Sequence, residues 1–270
     1  MQERQKVTVS DLLAKKQQLE KITMLTAYDS LMAGIIDRAG IDTILVGDSL
    51  GNVILGLDST LKVTMEEMLI HCRAVSRGGR HAMVIADMPF MSYQVSNEDA
   101  VRNSGRFVQE AGCDAVKIEG GEDSSVSRIK AVLDAGIPVL GHIGLEPQSV
   151  KKLGGYRVRG RKADEAEQLL SEAERLERIG CFAIVLECVP TSLGALITSK
   201  ISIPTIGIGA GPGCDGQVLV THDLIGYFEG YIPKFVKRYA DVSSVIDKAV
   251  SSYRDDVTHG RFPGAENSFK

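Results

Sequence analysis

The 270-residue chain contains no tryptophan, and aromatic residues make up only 5% of it. No stretch approaches the roughly 20 consecutive apolar residues of a membrane span, so no membrane partner is expected. A basic surplus is also missing. The 31 Lys and Arg against 35 Asp and Glu leave a net charge of −4, and no nucleic-acid partner is expected. The five cysteines, Cys72, Cys113, Cys181, Cys188 and Cys214, are scattered without a C-x-x-C pair. That pattern argues against a disulfide framework and a structural zinc site, and points to reduced, packed thiols. The opening Met-Gln-Glu-Arg-Gln-Lys holds no apolar h-region, so no secretory signal is expected. With reduced thiols, the expected location is cytoplasmic. No Pro/Ser-rich linker divides the chain, so one domain is expected rather than two.

What is present is alternation. Short, continuously apolar runs predict buried parallel strands at Ile22–Thr26, Thr43–Val46, Met83–Ala86, Ala115–Ile118, Pro138–Gly141, Ala183–Leu186 and Thr205–Ile208, with a weaker eighth near Gln217–Val220. Helical patterns lie between them. Thr64-Met-Glu-Glu67 opens one helix with a capping box, Ser96-Asn-Glu-Asp99 opens another, and Asp123–Asp134, Ala163–Ile179 and Asp241–Asp256 follow. A faint repeat, Ala39-Gly40-Ile-Asp, Ala111-Gly112-Cys-Asp, Ala135-Gly136-Ile-Pro and Ile179-Gly180-Cys-Phe, marks each helix end with a glycine suited to the left-handed position. The expected fold is therefore a (β/α)8 TIM barrel over residues 1–270, with an extra N-terminal helical cap over 1–21 and a polar tail over 258–270. The gap between the last two strands is short for a full helix, which keeps an open doubly wound sheet as the alternative.

The strand ends are the informative feature. Asp48 follows the second strand, Asp87 the third, Glu119 the fourth and Glu187 the sixth, with His142 after the fifth and Lys117 inside the fourth. In a parallel barrel these ends share one rim, where charged residues read as catalytic. Singly, each has an ordinary structural reading, as a cap, an ion-paired lysine or a hydrogen-bonded histidine. Together, four carboxylates with a lysine and a histidine would be costly to bury unpaired, and a divalent cation would offset their repulsion. The oxygen donors of Asp48, Asp87 and Glu119 suit a hard ion such as Mg2+, and Glu187, across the barrel, suits a base. The Gly-rich stretch Gly207–Gly213 is read either as a phosphate cradle or as a tight turn.

At these residues the chain resembles the ketopantoate hydroxymethyltransferase family. The resemblance is carried in order by MLTAYDSLMA (24–33), ILVGDSLGNVILGLDSTLKVTMEEM (44–68), VIADMPFMSY (84–93), AVKIEGG (115–121), a segment over 138–161 containing GHIGLEPQS, AIVLECVP (183–190) and IPTIGIGAG (203–211). It departs from the family pattern at Asn52, Leu57, Lys62 and Glu146. The resemblance implies a barrel with Mg2+ at Asp48 and Asp87, and Glu119 near the metal directly or through water. It implies Ser49 and Lys117 on the substrate carboxylate, His142 near the substrate and Glu187 as general base. It further implies 5,10-methylenetetrahydrofolate as one-carbon donor, 3-methyl-2-oxobutanoate as acceptor, 2-dehydropantoate on the route to pantothenate as product, a Mg-stabilised enolate, and a homo-oligomer, the homodecamer of the family. Residue chemistry alone reaches metal-assisted enolisation of a small oxyacid. It leaves open a Schiff base on Lys117, another metal-dependent barrel lyase or mutase, and a non-catalytic binding barrel.

Overall fold

The computed structural model describes residues 4–150, 155, 157–227, 230 and 232–269. The chain divides into two compact units, Met1–Val220 and Thr221–Lys270. The first holds the barrel. Its strands are β1 Ile22–Thr26, β2 Thr43–Val46, β3 Met83–Asp87, β4 Ala115–Glu119, β5 Val139–Gly144, β6 Ala183–Glu187, β7 Thr205–Ile208 and β8 Gly216–Leu219. All pair in parallel with their sequence neighbours, and β8 pairs back to β1, which closes the barrel and rules out the open sheet. Its helices are α1 Val9–Gln17, α2 Ser30–Arg38, the short α3 Leu50–Val53, α4 Met65–Gly78, α5 Asn97–Gln109, α6 Asp123–Asp134, α7 Ala163–Ile179 and α8 Thr191–Lys200.

The local signals act as the sequence indicates. Thr64 and Glu67 close a capping box on α4, and Asp29 caps α2 through the Leu31 and Met32 amides. The glycines of the repeat, Gly40, Gly112, Gly136 and Gly180, have φ of 87°, 71°, 84° and 105°, which is the left-handed ending the repeat requires. On α7, Leu169, Ala173 and Leu176 are buried against the barrel, so this amphipathic face is an internal one.

Two apolar layers separate along each strand because successive side chains alternate. One set lies between strands and helices. The other, with Met24, Leu45, Ile85, Leu140, Val185, Ile206 and Val218, fills the barrel interior, and Leu12 of α1 is buried with it. Helix α1 thus covers one end, and its lysines fasten it there. Lys15 Nζ lies 2.6 Å from Asp42, which accepts both the amide and hydroxyl of Thr23 at 2.8 Å. Lys16 Nζ lies 2.7 Å from Asp215, which accepts the Thr205 amide at 2.9 Å and its hydroxyl at 3.1 Å. Lys6 and Asp114 repeat the device on the amide of Val84. Each aspartate sits just before one strand and grips the strand before it.

The second unit contains α9 Thr221–Leu224 and α10 Val242–Thr258. Asp241 caps α10 through Ser244, and none of the helix's residues is buried. Beyond it Arg261 pairs with Asp256 at 2.8 Å, and the Phe262 ring meets Tyr253 edge-on.

Candidate active site

The alternation that places Met83 and Ile85 inside the barrel continues to Asp87, and the same inward face of β4 carries Ala115, Lys117 and Glu119. His142 and Glu187 follow in the same way on β5 and β6. The sequence places the strand ends before Asp87, Glu119 and Glu187. The structure extends the ladder through them, with Asp87 opposite Lys117, Glu119 opposite His142 and Glu187 opposite Gly144. These candidate side chains are therefore held by paired strands rather than by loops.

The polar layer is connected. Lys117 Nζ lies 2.8 Å from Asp87 Oδ1, 3.8 Å from Glu119 Oε1 and 3.3 Å from His142 Nδ1. His142 Nδ1 is 3.5 Å from Glu119 Oε1, and its Nε2 is 3.2 Å from Glu187 Oε2. The Asp48 amide donates to Asp87 Oδ2 at 3.1 Å. A chain of polar groups thus runs from Asp48 across the barrel mouth to Glu187. Ser49 stands beside it just before α3, its hydroxyl 2.8 Å from that of Tyr28.

Burial sets the electrostatics. Burial, then the charges of Asp87 and Glu119, push the Asp48 carboxyl well above the usual carboxylate range, and burial raises Asp87 in spite of Lys117. Burial opposes the charge of Glu119 as well, but His142 and Lys117 hold its carboxyl below its ordinary value. Burial works against the Lys117 ammonium too, yet Asp87, Glu119 and Asp48 raise it above its ordinary range. His142, buried and beside Lys117, is nevertheless lifted to about 9 by Glu119 and Glu187. The lysine is an ion-paired cation, a poor nucleophile for a Schiff base.

Among the described residues no three His, Cys, Asp or Glu side chains stand as a ready-made metal cage. The donor set still fits a hard cation. Asp87 Oδ1 and Glu119 Oε1 are buried without a well-directed hydrogen bond, and Asp48 and Asp87 are held close enough to repel each other. One or two carboxylates completed by water and substrate oxygens is the ordinary arrangement for Mg2+.

Two further elements bear on the site. Gln148, in the turn Pro147–Ser149, reaches both Asp48 and Glu119, a role that its neutral side chain did not announce in the sequence. The Gly-rich stretch, in contrast, serves packing. A Cβ at Gly211 would meet Thr191 of α8 at 2.5 Å, and one at Gly213 would meet Ala195 at 2.8 Å. Of the departures from the family pattern, Asn52 donates to the Leu57 carbonyl at 2.9 Å, so two of the four meet each other, and Lys62 pairs with Asp58 at 2.7 Å in the same segment.

Comparison with known proteins identifies the family. The sequence pattern of ketopantoate hydroxymethyltransferase matches residues 6–265. The 3-methyl-2-oxobutanoate hydroxymethyltransferase of Syntrophomonas wolfei is 55% identical over 264 residues, covering 98% of this chain and 95% of that one. The enzyme of that name from Moorella thermoacetica is 53% identical over 270 residues, covering 100% of both. Among solved structures, the phosphoenolpyruvate phosphomutase of Streptomyces platensis subsp. rosaceus superposes with a TM-score of 0.62 at 16% identity, covering 96% of this chain and 91% of its own. A 2,3-dimethylmalate lyase of the PEP mutase/isocitrate lyase superfamily superposes with a TM-score of 0.56 at 15% identity, covering 97% and 90%, which establishes the shared barrel fold. With a match along nearly its whole length, the chain belongs to the ketopantoate hydroxymethyltransferase family of transferases.

Proposed function

We propose that the chain joins the one-carbon unit of 5,10-methylenetetrahydrofolate to 3-methyl-2-oxobutanoate, with uptake of water and release of tetrahydrofolate, giving 2-dehydropantoate. The observation that carries this reading is the division of labour among the carboxylates. Asp48 and Asp87 are buried and crowd each other, whereas Glu187 is partly exposed across the mouth, its side chain 18% accessible. Asp48 and Asp87 would hold Mg2+, with Glu119 beside it directly or through water. When bound, the ion supplies Lewis-acid polarisation of the keto group and so acidifies the neighbouring C–H.

This chain's own residues do the rest. Lys117 and Ser49 bind and orient the substrate carboxylate. Glu187 takes the proton from C3, and the electron pair left behind forms the new C–C bond to the folate methylene carbon as one of its C–N bonds breaks. Water then replaces the second C–N bond, its oxygen becoming the hydroxyl, while one of its protons and the proton from C3 pass to the folate nitrogens. His142, whose Nε2 lies 3.2 Å from Glu187 Oε2, holds that side chain in position. Self-assembly completes the proposal, since exposed Leu31 and Ile35 on α2 and the apolar stripe of α10 both offer surface to copies of this chain.

Exchange of the substrate C3–H with deuterated solvent tests the base separately from folate chemistry. With Mg2+ present, Glu187→Gln is expected to slow the exchange by about 10²–10⁴-fold with the melting temperature held. Exchange at the wild-type rate would refute the assignment. The coupled assay with methylenetetrahydrofolate, run with and without EDTA, tests the donor and the ion.

A further inference from the structure

We propose that Gln148 is a positioning residue that presents Asp48 and Glu119 to a divalent cation, an inference that rests on the metal reading above. Its backbone N–H donates to Glu119 Oε2 at 3.1 Å, and its side-chain Nε2 donates to Asp48 Oδ2 at 3.2 Å and to the Met88 carbonyl at 2.9 Å. Its Oε1 accepts from the Tyr93 hydroxyl at 3.0 Å and from Gln94 Nε2 at 3.1 Å. The amide orientation is set by these partners, because a flip would turn the oxygen to two acceptors and the nitrogen to two donors. With 5% exposure, the side chain spends its full hydrogen-bonding capacity inside the protein.

The choice of a neutral amide has a consequence. Lys117 meets Asp87 with a positive charge and cancels part of it. Gln148 meets Asp48 and Glu119 with dipoles, which fix the oxygens while leaving their negative charge available. A group that orients a carboxylate without neutralising it is what an adjacent cation requires, and losing such an outer partner typically weakens metal binding about 10–100-fold. The third carboxylate joins the same arrangement, since Asp87 accepts the Asp48 amide. Tyr93 fixes Gln148 from behind, so the turn at Pro147–Ser149 and the loop after β3 are both tied to the carboxylates.

The test is equilibrium binding of Mn2+ to the chelator-treated full chain, with free ion read by electron paramagnetic resonance. Gln148→Met keeps length and burial but removes both donors of the amide. It is expected to raise the Mn2+ dissociation constant about 10–100-fold with native circular dichroism. Tyr93→Phe, which removes one of the two donors to the amide oxygen, is expected to raise it about fivefold, the loss of one hydrogen bond. A folded Gln148→Met protein with the wild-type constant overturns the proposal. If that variant does not fold, Tyr93→Phe decides, and a wild-type constant there overturns it too. Should the wild-type chain bind no Mn2+, the metal reading fails first and carries this inference with it.

Discussion

Glu146 is a residue whose ordinary chemistry its surroundings oppose. Burial, with the charges of Glu119 and Glu172, raises its carboxyl from 4.5 to about 7, although His142 and the Ser149 hydroxyl pull the other way. Because the folded chain keeps the proton longer than the unfolded one, stability falls as pH rises from about 4.5 to 7 and stays lowered above that. The ceiling on this one group is about 3 kcal/mol. Glu146→Gln is therefore expected to match the wild type near pH 4.5 and to exceed it by about 1–3 kcal/mol at pH 8. Urea denaturation at both pH values checks this, and a difference independent of pH would show that the buried charge is compensated elsewhere. The same scale shows what the sequence makes legible. Asp48, Asp87, Lys117, Glu119, His142 and Glu187 stand out as charged or titratable residues in or after apolar runs, and the structure brings all six into one connected layer. Gln148 and Tyr93 were illegible because a neutral amide and a phenol in a turn have no period and no charge to mark them.

Elements were legible where a local signal and the tertiary fold agree. Boxes and caps located α4 and α5, and the Gly-containing repeat located four helix ends. Helix α8 went unread. It has no side-chain cap after Pro190, holds Gly194 inside it, and carries no polar face to set against an apolar one. The strands were read too short at β3, β4, β5 and β6, because a polar residue looks like a strand's end when the barrel interior is in fact changing from apolar to polar. The aspartates of the repeat also gained a reason. Asp42 and Asp114 follow its glycines, and Asp215 matches them in position, each locking a strand pair under a lysine of the N-terminal segment. Removing Asp215 leaves the Thr205 amide unpaired, so Asp215→Ala is expected to cost about 2–4 kcal/mol. Lys16→Met leaves that amide bond intact and is expected to cost about 1 kcal/mol. Denaturant titration of the two variants and their double mutant reads both values and the coupling between them. Because these groups sit at the start of strands and the polar layer sits at their ends, turnover per folded molecule is expected to be unchanged. A large drop in turnover with normal stability would contradict that separation.

At the scale of the whole molecule, what stands out is apolar surface exposed on two helices, one in each unit. Helix α10 has 17 residues and buries none of them. A helix of that length is marginal in water on its own and usually owes its stability to a packed face. Ile246, Val250, Tyr253 and Val257 recur at spacings of four, three and four, which puts them on one side of the helix. In the barrel unit, Leu31 and Ile35 lie one turn apart on α2, at 80% and 53% exposure. Isolated exposed apolar residues need no explanation, but a stripe along a whole helix marks a contact. Copies of this chain are the proposed occupant, so the wild type is expected to sediment as a multimer at micromolar concentration. Val250→Asp with Tyr253→Asp places charge in the middle of the stripe, and is expected to shift the population to smaller species. The barrel is expected to survive that change, because its strands and their helices form a compact unit of their own. Sedimentation velocity with circular dichroism separates the outcomes. A smaller species with an intact barrel spectrum would assign the stripe to assembly, and an unchanged mass would leave α2 as the contact, to be tested by Leu31→Asp with Ile35→Asp.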